Sequence, residues 1–123
     1  MQRRDPAEAR LQRAIMVDLG ALDGVCVHRN NVGTATYAGG ARVEYGVGGA
    51  GAPDLIVEVC TPFGPWACVW LEVKTPEGHI EKHQREWHEA ARRMGRHAYV
   101  VRSVEHARAI VESFKRGEVF HDG

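Results

Sequence analysis

The sequence has no CxxC pair, and its three cysteines, Cys26, Cys60 and Cys68, leave one thiol over under any pairing. That pattern argues against a zinc ribbon and against a disulfide-stapled scaffold. The thiols are expected to be reduced and partly buried, with Cys60 and Cys68 able to meet across the intervening turn only under oxidation. No apolar run approaches the roughly 18 residues of a membrane-crossing helix. The charged start, Met1-Gln2-Arg3-Arg4, has no apolar segment behind it, so neither a membrane anchor nor a secretory signal is expected. Net charge is lacking as well: 16 Lys+Arg face 16 Asp+Glu. A histone-like polycation is thereby excluded, though a local basic patch for a nucleic acid is not. There is no internal repeat and no low-complexity tail. What remains is 123 residues, 44% of them hydrophobic, enough for one ordinary core and read as a single domain over residues 1–123.

The pattern of apolar residues divides the chain. Asp5 and Pro6 suit the cap and first position of a helix running to about Leu22, with Leu11, Ile15, Leu19 and Leu22 on one stripe. Glu8 falls on that same stripe, an unusual place for a carboxylate; a favourable interaction with the helix dipole is the plain explanation. A short strand is expected over Val25–Asn31. A glycine-rich stretch follows to Pro53, with Arg42–Tyr45 as a possible strand inside it. Asp54–Cys60 and Ala67–Lys74 read as a hairpin of two strands around the breakers of Thr61–Trp66. A second helix is expected from about Ile80 to Met94, closed by Gly95, with Ile80, Gln84, Trp87, Ala91 and Met94 on its stripe. His97–Val101 reads as a strand and Ser103 as the cap of a last helix. The order is α-β-(β)-β-β-α-β-α: an α/β chain with a mixed central sheet flanked by helices, antiparallel in the hairpin and parallel across the β-α-β unit from Glu72 to Val101.

Gly46-Val47-Gly48-Gly49-Ala50-Gly51 satisfies G-x-G-x-x-G literally, yet it leads into a strand and not a helix, so it is no dinucleotide fingerprint. A flexible loop is the better reading. His79, His83 and His88 on the second helix lack the cysteine or HExxH company of a zinc site and read as surface histidines near a basic face. Arginine outnumbers lysine 13 to 3, and Arg85, Arg92, Arg93 and Arg96 crowd the second helix, a composition suited to phosphate.

The strongest signal is Asp54 followed across the hairpin by Glu72-Val73-Lys74. Glu72 and Lys74 project from one strand face and interrupt a nearly continuous apolar run. Charges there are costly unless paired or metal-bound. Asp54 begins the neighbouring strand and can lie beside Glu72. Two carboxylates with an adjacent ammonium suit a divalent cation and a phosphate; an internal Glu-Lys pair is the alternative for Glu72 and Lys74 alone, and Asp54 with Gln84 around them tips the balance.

These residues resemble the PD-(D/E)xK nuclease motif. The wider context is similar to its VRR-NUC branch: Gly51-Ala52-Pro53-Asp54-Leu55, then Leu71-Glu72-Val73-Lys74-Thr75-Pro76-Glu77-Gly78, then Gln84-x-x-Trp87 and Val100-Val101-Arg102-Ser103. The resemblance covers about residues 7 to 111. It implies a restriction-endonuclease-like core and a DNA endonuclease using Mg²⁺ or Mn²⁺. The cation would be held by Asp54, Glu72 and the Val73 backbone carbonyl, and completed by Glu8. Lys74 would act on the attacking water or the transition-state charge, and Gln84 would position the site from its helix. The resemblance further implies 5′-phosphate and 3′-hydroxyl products, Holliday-junction-like substrates, a homodimer and the cytoplasm of a bacterial or phage-infected cell. Arg29, Arg42, Arg85, Arg92, Arg93 and Arg96 are the expected DNA contacts. A flap, nick or duplex nuclease on the same fold, or a non-catalytic DNA-binding module, are the competing readings.

Overall fold

The computed structural model describes residues 5–122. Helix α1 spans Pro6–Gly20; strands β1 to β5 are Val25–Arg29, Gly33–Thr36, Arg42–Tyr45, Leu55–Thr61 and Gly64–Val73; α2 is Lys82–Arg93, β6 His97–Val101 and α3 Val104–Lys115. The central sheet has the order β1-β4-β5-β6. Its first two pairings are antiparallel, and β5 runs parallel to β6, as a β-α-β crossover requires. The mixed, helix-flanked α/β class expected from the sequence is the one observed.

Local chemistry accounts for the helix boundaries. The Asp5 carboxylate accepts from the Ala7 peptide N–H at 2.9 Å, ahead of Pro6. The Ser103 hydroxyl accepts from His106 N–H at 3.0 Å and starts α3. At the end of α2, Gly95 takes a φ of +82°, and Arg96 N–H reaches back to the Ala91 carbonyl at 2.9 Å, a left-handed stop that glycine adopts without strain.

Alternation along the strands sorts the two faces of the sheet. Leu55, Val57, Val69, Leu71, Val73, Tyr99 and Val101 point to one side and form the main core with Ile15 and Leu19 of α1 and Ala107, Ile110, Val111 and Phe114 of α3. The opposite side carries Ile56, Trp70 and Ala98, covered by Trp87 and Ala91 of α2. Glu72 and Lys74 share the parity of Trp70, so they emerge on the α2 side of the sheet, where both are buried.

Four expectations need correction. Gly33–Thr36 is a strand, paired antiparallel with β3 in a separate two-stranded sheet; its residues carry almost no apolar signal, and only the pairing defines it. The hairpin between β4 and β5 is tighter than Thr61–Trp66, because Thr61 already pairs with Gly64. Met94 lies just past the end of α2 and is 69% exposed, while His88 takes an inward place and is buried. All three cysteines are exposed and form no disulfide: Cys26, Cys60 and Cys68 share the strand parity of Trp70, on the α2 side of the sheet.

Candidate active site

Asp54 directly precedes β4, and Glu72 and Lys74 lie at the end of β5, so the antiparallel register Leu55↔Leu71 carries the acids to adjacent strand positions. The enclosure is nearly complete: Asp54 is 9% exposed, Glu72 1% and Lys74 7%. Asp54 Oδ2 accepts from the Val73 peptide N–H at 2.9 Å, which locks the first acid against the strand that carries the second. The Lys74 peptide N–H donates to the Val101 carbonyl at 3.0 Å, which anchors the lysine backbone to β6.

Electrostatics show what this packing does. The Glu72 carboxyl is pushed up to about 10, first by burial, then by a hydrogen bond shared with Asp54 and by the Asp54 charge; Lys74 opposes the shift and Glu8 adds to it. Glu72 Oε1 is buried with no hydrogen-bond partner among the described residues. A buried acid with an orphaned oxygen beside a second acid is a donor set that a cation would satisfy, so these residues fit the divalent ion implied by the motif. Among the described residues, no three His, Cys, Asp or Glu side chains gather closely enough to hold a metal by themselves. Glu8, half-buried in the first turn of α1, is within electrostatic reach of Glu72 but does not complete a three-carboxylate group with it and Asp54.

A cleft of about 870 Å³ opens beside Asp54, with Gln84 and His83 on one wall and β2, β3 and the glycine loop on the other. Gln84 lines it, but its Oε1 accepts from the Glu81 peptide N–H at 2.9 Å, so its carbonyl caps α2 and only its amide is left to face the cleft. The glycine loop is packed down and opens no helix. Trp87 Nε1 donates to the Gly48 carbonyl at 2.8 Å, and a side chain on Gly51, whose φ is +86°, would collide with the His83 carbonyl.

The expected DNA-binding arginines separate. Arg29 lines the cleft, and Arg42 is exposed on β3 at the hairpin-tip end of the strand pair, opposite Thr36 and outside the cleft lining. Arg85 is exposed on the first turns of α2. Arg92, Arg93 and Arg96 lie at the other end of that helix, about 10 Å or more further along the axis at 1.5 Å per residue. Arg92 and Arg96 line a different cleft, against β6 and the C-terminal segment, and Arg96 stacks its guanidinium near Trp70 and Trp87, 5.6 and 5.7 Å from the ring centroids. His88, expected at the surface, is buried against Trp87 with both ring nitrogens unpartnered among the described residues.

Two residues have positioning roles that the sequence reading did not assign: Asn30, which it passed over, and Arg102, which it quoted only within the resemblance. Asn30 is buried at the end of β1: its Nδ2 donates to the Val47 and Pro53 carbonyls at 2.8 and 3.1 Å, and its Oδ1 accepts from Val47 N–H at 2.9 Å. Arg102 donates to the carbonyls of Thr75 and Gly78, both at 2.7 Å, and so fastens the loop that leaves Lys74. An arginine placed directly after an apolar strand was the available hint for the second; nothing local marks the first.

No protein-family model matches the chain, and no curated protein does. Among solved structures it is similar to one described as a VRR_NUC domain, with a TM-score of 0.58 and 28% identity over 87% of this chain and 96% of that one. The chain is thus similar to a VRR_NUC domain, and its mixed, helix-flanked sheet is of the restriction-endonuclease-like kind.

Proposed function

We propose that the protein is a divalent-metal-dependent DNA endonuclease. The observation that carries this reading is the buried pair Asp54 and Glu72 with Lys74 two residues on; the likeness to a VRR_NUC domain supports the nuclease class. A merely DNA-binding module would gain nothing from buried carboxylates that repel phosphate.

Asp54, Glu72 and the Val73 backbone carbonyl would hold Mg²⁺ or Mn²⁺, with Glu8 acting on the same centre from the first turn of α1. When bound, the ion supplies polarisation of the phosphodiester and a lowered pKa for a coordinated water. Asp54 fixes the geometry through its bond to Val73 N–H. Lys74 presents an ammonium that cannot be a ligand but can hold a phosphate oxygen or the attacking water. Gln84 keeps α2 in place at the edge of the cleft. Arg29, Arg42 and Arg85 hold backbone phosphates around it, with Arg92, Arg93 and Arg96 available to a more distant stretch of DNA.

The products would carry 5′-phosphate and 3′-hydroxyl ends. Branched DNA, cut as by a Holliday-junction resolvase, is the favoured substrate, and a homodimer the favoured form, because symmetric cutting of two strands needs two such sites. The deciding experiment incubates the purified protein with four-way junction, flap, duplex and single-stranded DNA, each with Mg²⁺, Mn²⁺ or EDTA. Metal-dependent cutting of a junction is expected; flap cutting alone would redirect the substrate, and no cutting of any DNA would overturn the reading.

A further inference from the structure

The wall of the cleft facing Asp54 is an arm, residues 31–53, that contributes almost nothing to the core. Within it β2 and β3 pair only with each other. The two ends of the arm are stapled together by the buried Asn30 side chain, through Val47 and Pro53. An element with so little burial does not stabilise the fold; it is held in place for what it presents.

What it presents to the cleft is Tyr45. This residue lies directly across from Gly33 in the strand pair. A side chain at Gly33 would collide with the Tyr45 phenol, so the hydroxyl end of the ring lies against the glycine. Glycine within a strand is unfavourable, yet here its missing side chain is what seats the ring. Tyr45 remains 51% exposed and lines the same cleft as Asp54 and Gln84. The second exposed tyrosine of the arm, Tyr37, is at the hairpin tip and does not line this cleft. A ring anchored at its hydroxyl end over a glycine and half open to solvent, lining the cleft that Asp54 also lines, offers aromatic surface on which a nucleobase can stack.

We propose that Tyr45 is a stacking platform for an unpaired base adjacent to the phosphate being cut, so that the substrate is DNA with at least one unstacked base, as at a branch or flap, and not continuous duplex. This rests on the nuclease reading and adds to it a residue that selects the substrate. Stacking needs an open π-face and no particular base, so the preference is for structure over sequence. The competing role for the ring is to cover Gly33 and stiffen the hairpin, which any bulky apolar side chain could do.

The test uses the full chain carrying Asp54→Asn, so that DNA is bound and not cut, and a flap DNA with a single 2-aminopurine in the unpaired strand beside the branch; a blunt duplex with an internal 2-aminopurine is the control. On this background Tyr45→Ala and Tyr45→Leu should each weaken flap binding by about 5- to 150-fold, the range of one lost base stack, and abolish quenching of the probe. Tyr45→Phe should keep both, Tyr37→Ala should change neither, and duplex binding should be the same for all. Tyr45→Leu binding the flap as well as Tyr45→Phe does, or an equal loss on flap and duplex, would overturn the proposal. Cleavage by the otherwise unaltered protein is measured alongside. Its presence with insensitive Tyr45 variants refutes the platform alone, and its absence on every DNA refutes the nuclease reading itself.

Discussion

The wall of the cleft at Asp54, which has Glu72 and Lys74 on the adjoining strand, is almost closed to solvent, whereas the wall opposite has no buried residue from Asn31 to Ala52. The first wall sits on the central sheet, between neighbours paired on both sides, and its side chains have nowhere to relax. That rigidity is what makes Glu72 costly as a bare carboxylate and a cation welcome beside it. The second wall is a two-stranded arm fastened at its base by Asn30 and, through the glycine loop, by the Trp87 bond to Gly48. It can follow the shape of a substrate at little cost to the fold. On the proposed function, chemistry falls to the buried wall and recognition to the exposed one, and substitutions in the two should separate cleanly.

The largest effect expected is from the buried acids. Asp54→Asn or Glu72→Gln should abolish cleavage with the circular dichroism spectrum unchanged, and DNA binding should persist or tighten because a negative charge has left a phosphate-facing site. Unaltered turnover in either variant would remove the proposed centre. Next comes Lys74→Ala, which should lose about 10²–10⁴-fold in rate if the ammonium assists proton transfer while metal binding to the protein with uncleaved DNA survives. Calorimetry checks this; a metal affinity as poor as that of Glu72→Gln would make the lysine a structural partner of the acids instead.

Stability against pH probes the same wall without any DNA. Glu72 has its pKa raised to about 10, so the fold favours its protonated form. In EDTA its contribution is full below the ordinary carboxylate range near 4 and is lost as pH rises toward 10. His88 is held down to about 4 by burial and by the Arg92 charge. The fold therefore favours its neutral form, whose contribution is present above about 6.5 and is lost as pH falls toward 4. Melting temperatures in EDTA should decline on both sides. Glu72→Gln should flatten the alkaline side, a divalent cation should lift it, and His88→Leu should flatten the acid side by a few kcal/mol or less. An alkaline limb indifferent to both Glu72→Gln and the cation would show that the acid pair is not the source.

The smallest effect belongs to the arm. Asn30→Ala leaves the Val47 N–H and the Pro53 carbonyl without their partner, a loss of about 1–3 kcal/mol. Amide exchange should accelerate over residues 31–53 and stay unchanged in β4 and β5, with KM for DNA rising more than kcat falls. Equal acceleration in the sheet would mean that the arm and the core open together, and the comparison between the two walls would fail.

Much of the buried wall was legible beforehand because its signals are local. Glu72 and Lys74 are two apart in a strand, Asp54 is one hairpin away, and charges in an apolar run are conspicuous. Helix boundaries were legible for the same reason: Asp5, Ser103 and Gly95 act on peptide groups a few residues away. The arm was hardly legible. Gly33–Thr36 has no hydrophobic alternation, and Asn30 draws its meaning from partners 17 and 23 residues away. His88 was misplaced because the stripe on α2 was drawn through Met94, which falls beyond the last helical residue.

The sequence by itself determined the class of fold, singled out Asp54, Glu72 and Lys74 as the candidates for chemistry, and marked the caps of the first and last helices at Asp5 and Ser103, because all of these depend on residue type and short spacing. Only the tertiary structure decided that Arg92, Arg93 and Arg96 lie away from the acids and that Gln84 spends its carbonyl on a helix cap. It also decided that Asn30 staples the arm and that Tyr45 is seated on Gly33 beside the cleft. These facts depend on direction, depth and partners distant in the chain, which are settled when the sheet and the arm are folded against α2.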